Sequence, residues 1–309
     1  MDVLSDILDA FELTGMLYFR GEFSAPFGLA VPEFGNAARF HIGLEGSCRV
    51  RVAGSEAEPI TLNRGDLLVV PHGSAHTIAD SSTEHYVDLD DALRDAQFEG
   101  ETPFVHGGGG EFTMLVCGHF AFERGTLHPL LDALPPVLHF PARARSDYRW
   151  LDDAMRFLGD EVRVDRPGAH AVTSRMAEIL FIQVLRAWVE RRGDVAGPVA
   201  AIRDPHLGRA LAKIHERPSE NWTVARLAKS AGMSRTSFSE QFNRMVGVTP
   251  IQYVTQWRME KAKAALRSRG VPLAEVAASV GYRSEASFNR AFRRHVGVGP
   301  GRYRAEQRA

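Results

Sequence analysis

The sequence predicts an α+β chain of more than one domain. A β-barrel or sandwich comes first, then a helical connector, then an all-α part with two helix-turn-helix units. Three observations predict this. Period-two alternation broken by Gly and Pro turns fills the first 145 residues, helical stripes follow, and the last hundred residues contain an internal repeat. The 309 residues suffice for two domains of ordinary size. With 44% apolar and 24% charged residues, the chain is neither disordered nor fibrous. The expected divisions are 1–145, 146–203 and 204–309.

In the first part, Phe40, Ile42 and Leu44 alternate with Arg39, His41, Gly43 and Glu45, the period of a strand. Val50 and Val52 continue towards a turn at Gly54. Leu67–Val70 is a short apolar strand between turn signals at Asn63-Arg64-Gly65 and Pro71-His72-Gly73. Gly107–Gly110 breaks the chain before a strand from Phe112 to Phe122. Short strands with such turns suggest a barrel or sandwich.

After Pro141 the pattern becomes helical, over Ser146–Val162 and Gly168–Arg192. Phe181, Val184, Leu185 and Trp188 form one helical stripe, which Ile179, Leu180 and Ile182 widen. A helix apolar on so much of its circumference needs partners on more than one side: the barrel and a second subunit, or simply a buried position. Arg192–Pro198 reads as a linker.

The net charge of −1 conceals an asymmetry. From His206 onward nineteen Lys+Arg stand against seven Asp+Glu, a balance of +12, so the remainder carries −13. A basic module on an acidic body points to nucleic acid as partner of the former and another task for the latter. The two cysteines, Cys48 and Cys117, exclude a disulfide scaffold and suit a reducing cytoplasm. No apolar run reaches the ~20 residues of a membrane span, and the acidic N-terminus does not read as a secretory signal.

The basic third repeats itself. Phe238, Phe242 and Gly247-Val248 match Phe288, Phe292 and Gly297-Val298 at an offset of 50, and Gly232 matches Gly281 at 49. The second turn is therefore one residue longer. Thr223 and Ser234 are placed as helix N-caps, and Ala228 and Ala277 let helices approach closely. The Phe pairs, at i and i+4, can anchor each second helix. Pro250–Ser268 reads as a helix joining the units.

With its unequal turns and its GVTPIQY and GVGPGRY endings, this third resembles the DNA-binding domain of the AraC/XylS transcription regulators, over about Asp204–Arg304. The resemblance implies that the second helix of each unit enters a major groove of duplex DNA. Arg235, Thr236, Ser239 and Glu240 then face bases in the first unit, and Glu285, Ala286, Asn289 and Arg290 in the second. Asn243, Arg244, Arg293 and Arg294 lie further along, towards phosphates. The second helix is the richer in Arg, so more of the salt-dependent binding is expected there.

In the acidic body, Gly65–His76 (GDLLVVPHGSAH) resembles the second cupin motif through Gly65, Pro71, Gly73 and His76. The first cupin motif is degraded: Arg39 stands where a carboxylate ligand belongs, and the paired histidines upstream are missing. His41, His76, Cys117 and His119 remain. Arg39 and His41 share one strand face, as do Cys117 and His119. A barrel that gathers them would suit Zn or another divalent metal, or an effector; the bland reading is packed histidines beside a structural thiol. A third reading is a low-pKa, oxidisable Cys117 with Cys48 as partner. Together with LVCGHF and HPLLDALPPVLHF, these stretches resemble the cupin sensor of one branch of AraC-type regulators.

The expected function is sequence-specific transcription regulation, with a cupin-like body sensing a small molecule, metal or oxidant. Expected partners are double-stranded DNA, a small-molecule effector, RNA polymerase and a second copy of the chain. The alternative is a cupin metalloenzyme, an oxygenase or isomerase, with the basic module appended. Arg39 and the missing histidine pair count against it, and no Ser/His/Asp spacing or phosphate-binding Gly loop points to other catalysis. Glu240 and Glu285 argue against a non-specific binder, since carboxylates repel phosphates unless they read a base.

Overall fold

The structure is a computed structural model. It describes residues 2–10, 14–35, 37–100, 103–122, 128–143, 149–163, 166–191, 197–268 and 270–306. The residues form two compact units: Leu13–Arg124 with Leu134–Ala187, and Met1–Glu12 with Gly125–Ala133 and Trp188–Ala309. The packing thus departs from a linear division. The first helix and a short piece after the barrel pack with the C-terminal helices, while residues 134–187 pack with the barrel. Residues 146–148 and 192–196, expected as a helix start and a linker, lie outside the described residues.

In chain order the elements begin with α1 (Val3–Ala10), followed by β1 (Thr14–Ser24), β2 (Gly28–Val31), β3 (Ala37–Glu45) and β4 (Ser47–Val52). Next come β5 (Ile60–Asn63), β6 (Leu67–Val70), β7 (His76–Ala79), β8 (Val87–Asp88) and α2 (Leu89–Asp95). The last barrel strands are β9 (Phe104–Gly107), β10 (Phe112–Ala121) and β11 (Leu138–Phe140), with the short helix α3 (Pro129–Asp132) between the last two in sequence. Helices α4 (Arg149–Arg163) and α5 (Ala169–Arg191) follow. The remaining helices are α6 (Pro198–Arg203), α7 (Leu207–Glu216), α8 (Val224–Ala231), α9 (Arg235–Val246), α10 (Pro250–Arg267), α11 (Leu273–Ser279), α12 (Glu285–Val296) and α13 (Pro300–Glu306).

Two sheets form the barrel, in the orders β11-β6-β3-β10-β1-β9 and β5-β4-β7-β2-β8. Between them lies a core of Phe19, Phe23, Leu29, Val50, Leu62, Leu68, Ile78 and Leu115. The alternation on β3 has an unexpected sense. Ordinarily the apolar face of a strand turns inward and the polar face meets water. Here Phe40 stacks on Phe120 at 4.8 Å, and Phe120 meets Phe181 of α5 at 4.7 Å, so this apolar face lies outside, under a helix. Arg39 and His41 consequently point into the barrel. Gly15 permits the helix to come this close, because a Cβ there would stand 2.6 Å from the Ser174 carbonyl oxygen. The stripe predicted on α5 is buried, but Ile179 is 48% exposed, and Phe157 of α4 is 47% exposed.

The other unit is organised on α10, whose Trp257 and Tyr253 are buried. Thr249 opens that helix with a reciprocal capping box to Gln252, and Pro250 fits its first turn. The repeat is reproduced in three dimensions. The Thr223 and Ser234 hydroxyls accept from the Arg226 and Ser237 amides, and Ser284 accepts from Ser287. Gly247 and Gly297 end α9 and α12 in the left-handed conformation, at φ of 82° and 86°. The tyrosines of the two matching endings do the same work: Tyr253 packs on Phe242 at 5.8 Å and Tyr303 on Phe292 at 5.5 Å.

Candidate nucleic-acid interface and barrel pocket

Each helix-turn-helix presents its second helix by burying one face. Phe238 and Phe242 on α9, and Phe288 and Phe292 on α12, are fully buried. This fixes both helices about their axes and turns the opposite face outward. On α9, Arg235, Thr236, Glu240, Asn243 and Arg244 are exposed and Ser239 is half-buried. On α12, Glu285, Ala286, Arg290, Arg293 and Arg294 are exposed and Asn289 is half-buried. Arg235 and Glu285 share the stripe of their Phe anchors, three residues before the first. They reach solvent because each is the first residue of its helix. Glu240 and Arg290 occupy equivalent positions at the centre of the outward faces, where helical spacing sets them opposite the anchors. Arg258 of α10 braces the first unit by donating to the Pro218 and Glu220 carbonyls at 2.8 Å each, with its guanidinium 5.8 Å from the Tyr282 ring.

The barrel brings three of its four predicted residues into one hydrogen-bonded chain. Cys117 pairs with His41 across β10 and β3, and His119 pairs with Arg39. His76 begins β7, in the facing sheet. Cys117 Sγ lies 3.1 Å from His41 Nδ1, and His41 Nε2 lies 2.8 Å from His76 Nε2. His76 Nδ1 is 2.9 Å from the Ser74 carbonyl oxygen, which can only accept. The protons follow from that end. His76 donates from Nδ1, so its Nε2 accepts from His41 Nε2–H, and His41 Nδ1 accepts from the Cys117 thiol.

Burial first, then the neighbouring His76 and the Arg39 guanidinium, hold His41 well below the ordinary imidazole range. Burial, with Arg39 adding to it, lowers His76 to about 4 and His119 likewise to about 4. His119 stands apart from the chain, edge-on to Phe34 at 5.5 Å.

This arrangement does not fit the divalent metal that the sequence suggested for His41, His76, Cys117 and His119. Two imidazole nitrogens on a tetrahedral Zn²⁺ stand about 3.3 Å apart, given Zn–N bonds of about 2.0–2.1 Å. The 2.8 Å between His41 and His76 is a hydrogen bond, and both His41 nitrogens are engaged. Among the described residues no group of three or more His, Cys, Asp or Glu is disposed to hold an ion. Arg39 adds a positive charge where a ligand carboxylate would have offset one. The sequence also offered a low-pKa, oxidisable Cys117. Both cysteines are buried; burial raises the Cys117 thiol pKa and pushes Cys48 up to about 12.

Beside the chain lies an apolar cavity of about 10 Å³, room for at most one water, lined by Phe19, Phe23, Leu29, Val31, Ile78 and Leu89 together with Arg39, His41 and Cys117.

Sequence reasoning missed a second buried polar chain, in the helical unit. His128 caps α3 by accepting from the Leu130 amide at Nδ1, 3.1 Å away, so its Nε2–H donates to the Tyr253 hydroxyl at 3.2 Å. That hydroxyl donates to His215 Nε2 at 2.8 Å, and His215 Nδ1 faces Asp6 of α1 at 3.7 Å. The signal was present in His128-Pro129-Leu130-Leu131, a capping residue followed by a first-turn proline.

A cupin family model matches residues 2–190, and a helix-turn-helix domain model matches residues 227–306. A protein described as an AraC-like transcription regulator from Streptomyces antibioticus is 33% identical, over 98% of both chains. The HTH-type transcriptional regulator AlkR of Acinetobacter baylyi is 30% identical, over 99% of this chain and all of its own. The RCS-specific HTH-type transcriptional activator RclR of Escherichia coli is 30% identical over 87% of this chain and 85% of its own. The chain therefore belongs to the AraC-type transcription regulators, with an N-terminal cupin domain and a C-terminal DNA-binding helix-turn-helix region.

Proposed function

We propose that α9 and α12 enter successive major grooves on one face of duplex DNA, and that an effector in the barrel changes the affinity of this contact. Phe-anchored burial of one helix face, repeated fifty residues apart, carries the reading, because it leaves matching residues of both helices exposed. Arg290 reads a base, since an exposed Arg can bridge guanine O6 and N7. Glu240 accepts from a cytosine amine. Arg235, Thr236, Ser239, Glu285, Ala286 and Asn289 complete the base-facing set; Asn243, Arg244, Arg293 and Arg294 meet phosphates.

The chain works as a homodimer through α4 and α5. Phe157, Val172 and Ile179 are large apolar side chains left exposed on those helices. Pairing brings two DNA-binding regions together and raises their effective concentration. RNA polymerase is the further partner of the bound regulator. Among the described residues no helix is long and apolar enough to cross a membrane.

The test is binding to a promoter fragment and to a scrambled duplex across a salt series. Neutralising about six phosphates gives a slope of log K against log salt near −5, steeper for the wild type than for Arg294→Ala. Equal affinity for both duplexes at every salt concentration contradicts the reading.

A further inference from the structure

We propose that Gln241 is a positioning residue for base reading: its hydrogen bond to Asp204 sets how α9 is turned about its own axis. This rests on α9 and α12 reading bases together, and it names the half of that contact which the connector can adjust.

Asp204 stands at the corner between α6 and α7, and its two carboxylate oxygens have separate tasks. Oδ1 accepts from the His206 and Leu207 amides at 2.8 and 2.7 Å, and so starts α7. Oδ2 accepts from the Gln241 side-chain amide of α9 at 3.2 Å. The carboxylate makes this a charge-assisted bond, the stronger kind. The corner itself is tight. The Asp204 carbonyl accepts from the Gly208 amide at 2.8 Å, and a Cβ on Gly208 would stand 2.6 Å from the Ile202 carbonyl oxygen. Helix α6, with Ala201 fully buried, packs against both α7 and α9. Gln241 is half-buried, on the flank of α9 between its Phe238 and Glu240 sides. The Phe anchors hold α9 down, whereas a bond on the flank resists its roll. A roll of about 10° moves a side-chain tip about 5–6 Å from the axis by about 1 Å. That exceeds the span of about 0.5 Å over which an N–H···O bond keeps its strength.

The second unit carries no amide at the matching position. Gln241 matches Ala291 at the offset of 50, and Ala291 packs on the apolar core that holds Phe288 and Phe292. At this position α12 is therefore held by packing alone. The hold on α9 also lies where the rest of the chain meets the first unit. Helix α6 is the first described helix after residues 192–196, and α3, which falls between β10 and β11 in sequence, packs against it. His128 in turn ties the start of α3 to Tyr253 of α10. A displacement of α6 is felt by α9 through Asp204 and Gln241, and it is read out in the block of bases that α9 contacts.

Selection of duplexes by the full-length protein, followed by a panel of single-base variants of the selected site, tests the proposal. The block that Arg290→Ala leaves intact is the one that α9 reads. Gln241→Ala, which gives α9 the residue type of the second unit, is expected to lower preference in that block about fivefold or more, the lower end of one base contact. Gln241→Glu, which sets two carboxylates together, is expected to do the same. Asp204→Asn in the Gln241→Glu background is expected to restore the preference, because its amide donates to the new carboxylate while its oxygen still starts α7. The block read by α12 should stay unchanged throughout. Each variant is first checked by its thermal melt, and either single substitution suffices should the other fail to fold. Unchanged preference in the α9 block for a folded Gln241 variant, equal loss in both blocks, or no restoration by Asp204→Asn overturns the proposal. Any of these outcomes with two blocks on the unaltered chain overturns this proposal alone. One block or none on the unaltered chain overturns the two-helix reading, and this proposal with it.

Discussion

The Cys117 thiol donates its proton to His41 Nδ1 across 3.1 Å, and that direction is fixed two residues away, by the carbonyl that His76 must donate to. The chain is complete only while both imidazoles are neutral. Protonating either one sets two donors against each other in a buried site, which costs about 1–3 kcal/mol or more.

Stability should accordingly fall in mild acid. His76, His128 and His215 have folded pKa values of about 4, 3 and 2, below the ordinary 6.5, and His41 is lowered as well. The unfolded chain therefore takes up protons first as pH drops. Their stabilisation is full above pH 6.5 and is lost as pH falls below it, down to about 4 for His76 and on to about 3 and 2 for His128 and His215, by up to about 1.4 kcal/mol per histidine per pH unit. Melting curves from pH 8 to pH 5 should show Tm level above 6.5 and declining below. A flat profile contradicts the neutral assignment.

Neither cysteine should react in the native state. Both are buried and both thiol pKa values are raised. A maleimide probe at pH 7 should label Cys48 and Cys117 only after denaturation; labelling within minutes under native conditions would restore the reactive-thiol reading.

Tyr253→Phe should destabilise the helical unit. The change keeps the ring against Phe242 but removes the hydroxyl joining His128 to His215, leaving two buried nitrogens without it. A loss of about 1–3 kcal/mol is expected in urea unfolding, against about 3–5 kcal/mol for Phe288→Ala, which empties a core position.

Arg290 and Arg294 should fail differently. Arg290→Ala should cost about 1–3 kcal/mol at one base position and relax preference there. Arg294→Ala should weaken all sequences alike and reduce the salt slope by about one. Binding to a panel of single-base operator variants separates the two; identical profiles would falsify the assignment of roles.

The DNA-binding region was legible in the sequence because a repeat supplies its own control. Phe238, Phe242 and Tyr253 recur fifty residues later, so anchors and turns could each be read twice; the Phe anchors are buried and Thr223 and Ser234 cap their helices as expected, whereas α11 opens on Pro272 with no side-chain cap. The barrel was legible as strands and as a cupin-type motif, but not in its chemistry. Period-two alternation shows that Arg39 and His41 share a face without saying which face is covered; α5, more than a hundred residues away, reverses the usual sense by burying Phe40 and Phe120 from outside. Residue types at His41, His76 and Cys117 equally fit metal ligation and a hydrogen-bonded chain, and the sequence does not show how their nitrogens and sulfur are set against one another. The placing of α1 and α3 with the C-terminal helices depends on tertiary contacts through Tyr253 and His215 that no local pattern encodes.

The central claim is that two helices of one chain read duplex DNA together. Selection of bound duplexes from a random pool by the full-length protein tests it most directly. Two short preferred blocks about 10 base pairs apart, one helical turn, are expected, with preference lost in one block alone for Arg290→Ala. A single block, or no enrichment above the starting pool, contradicts it.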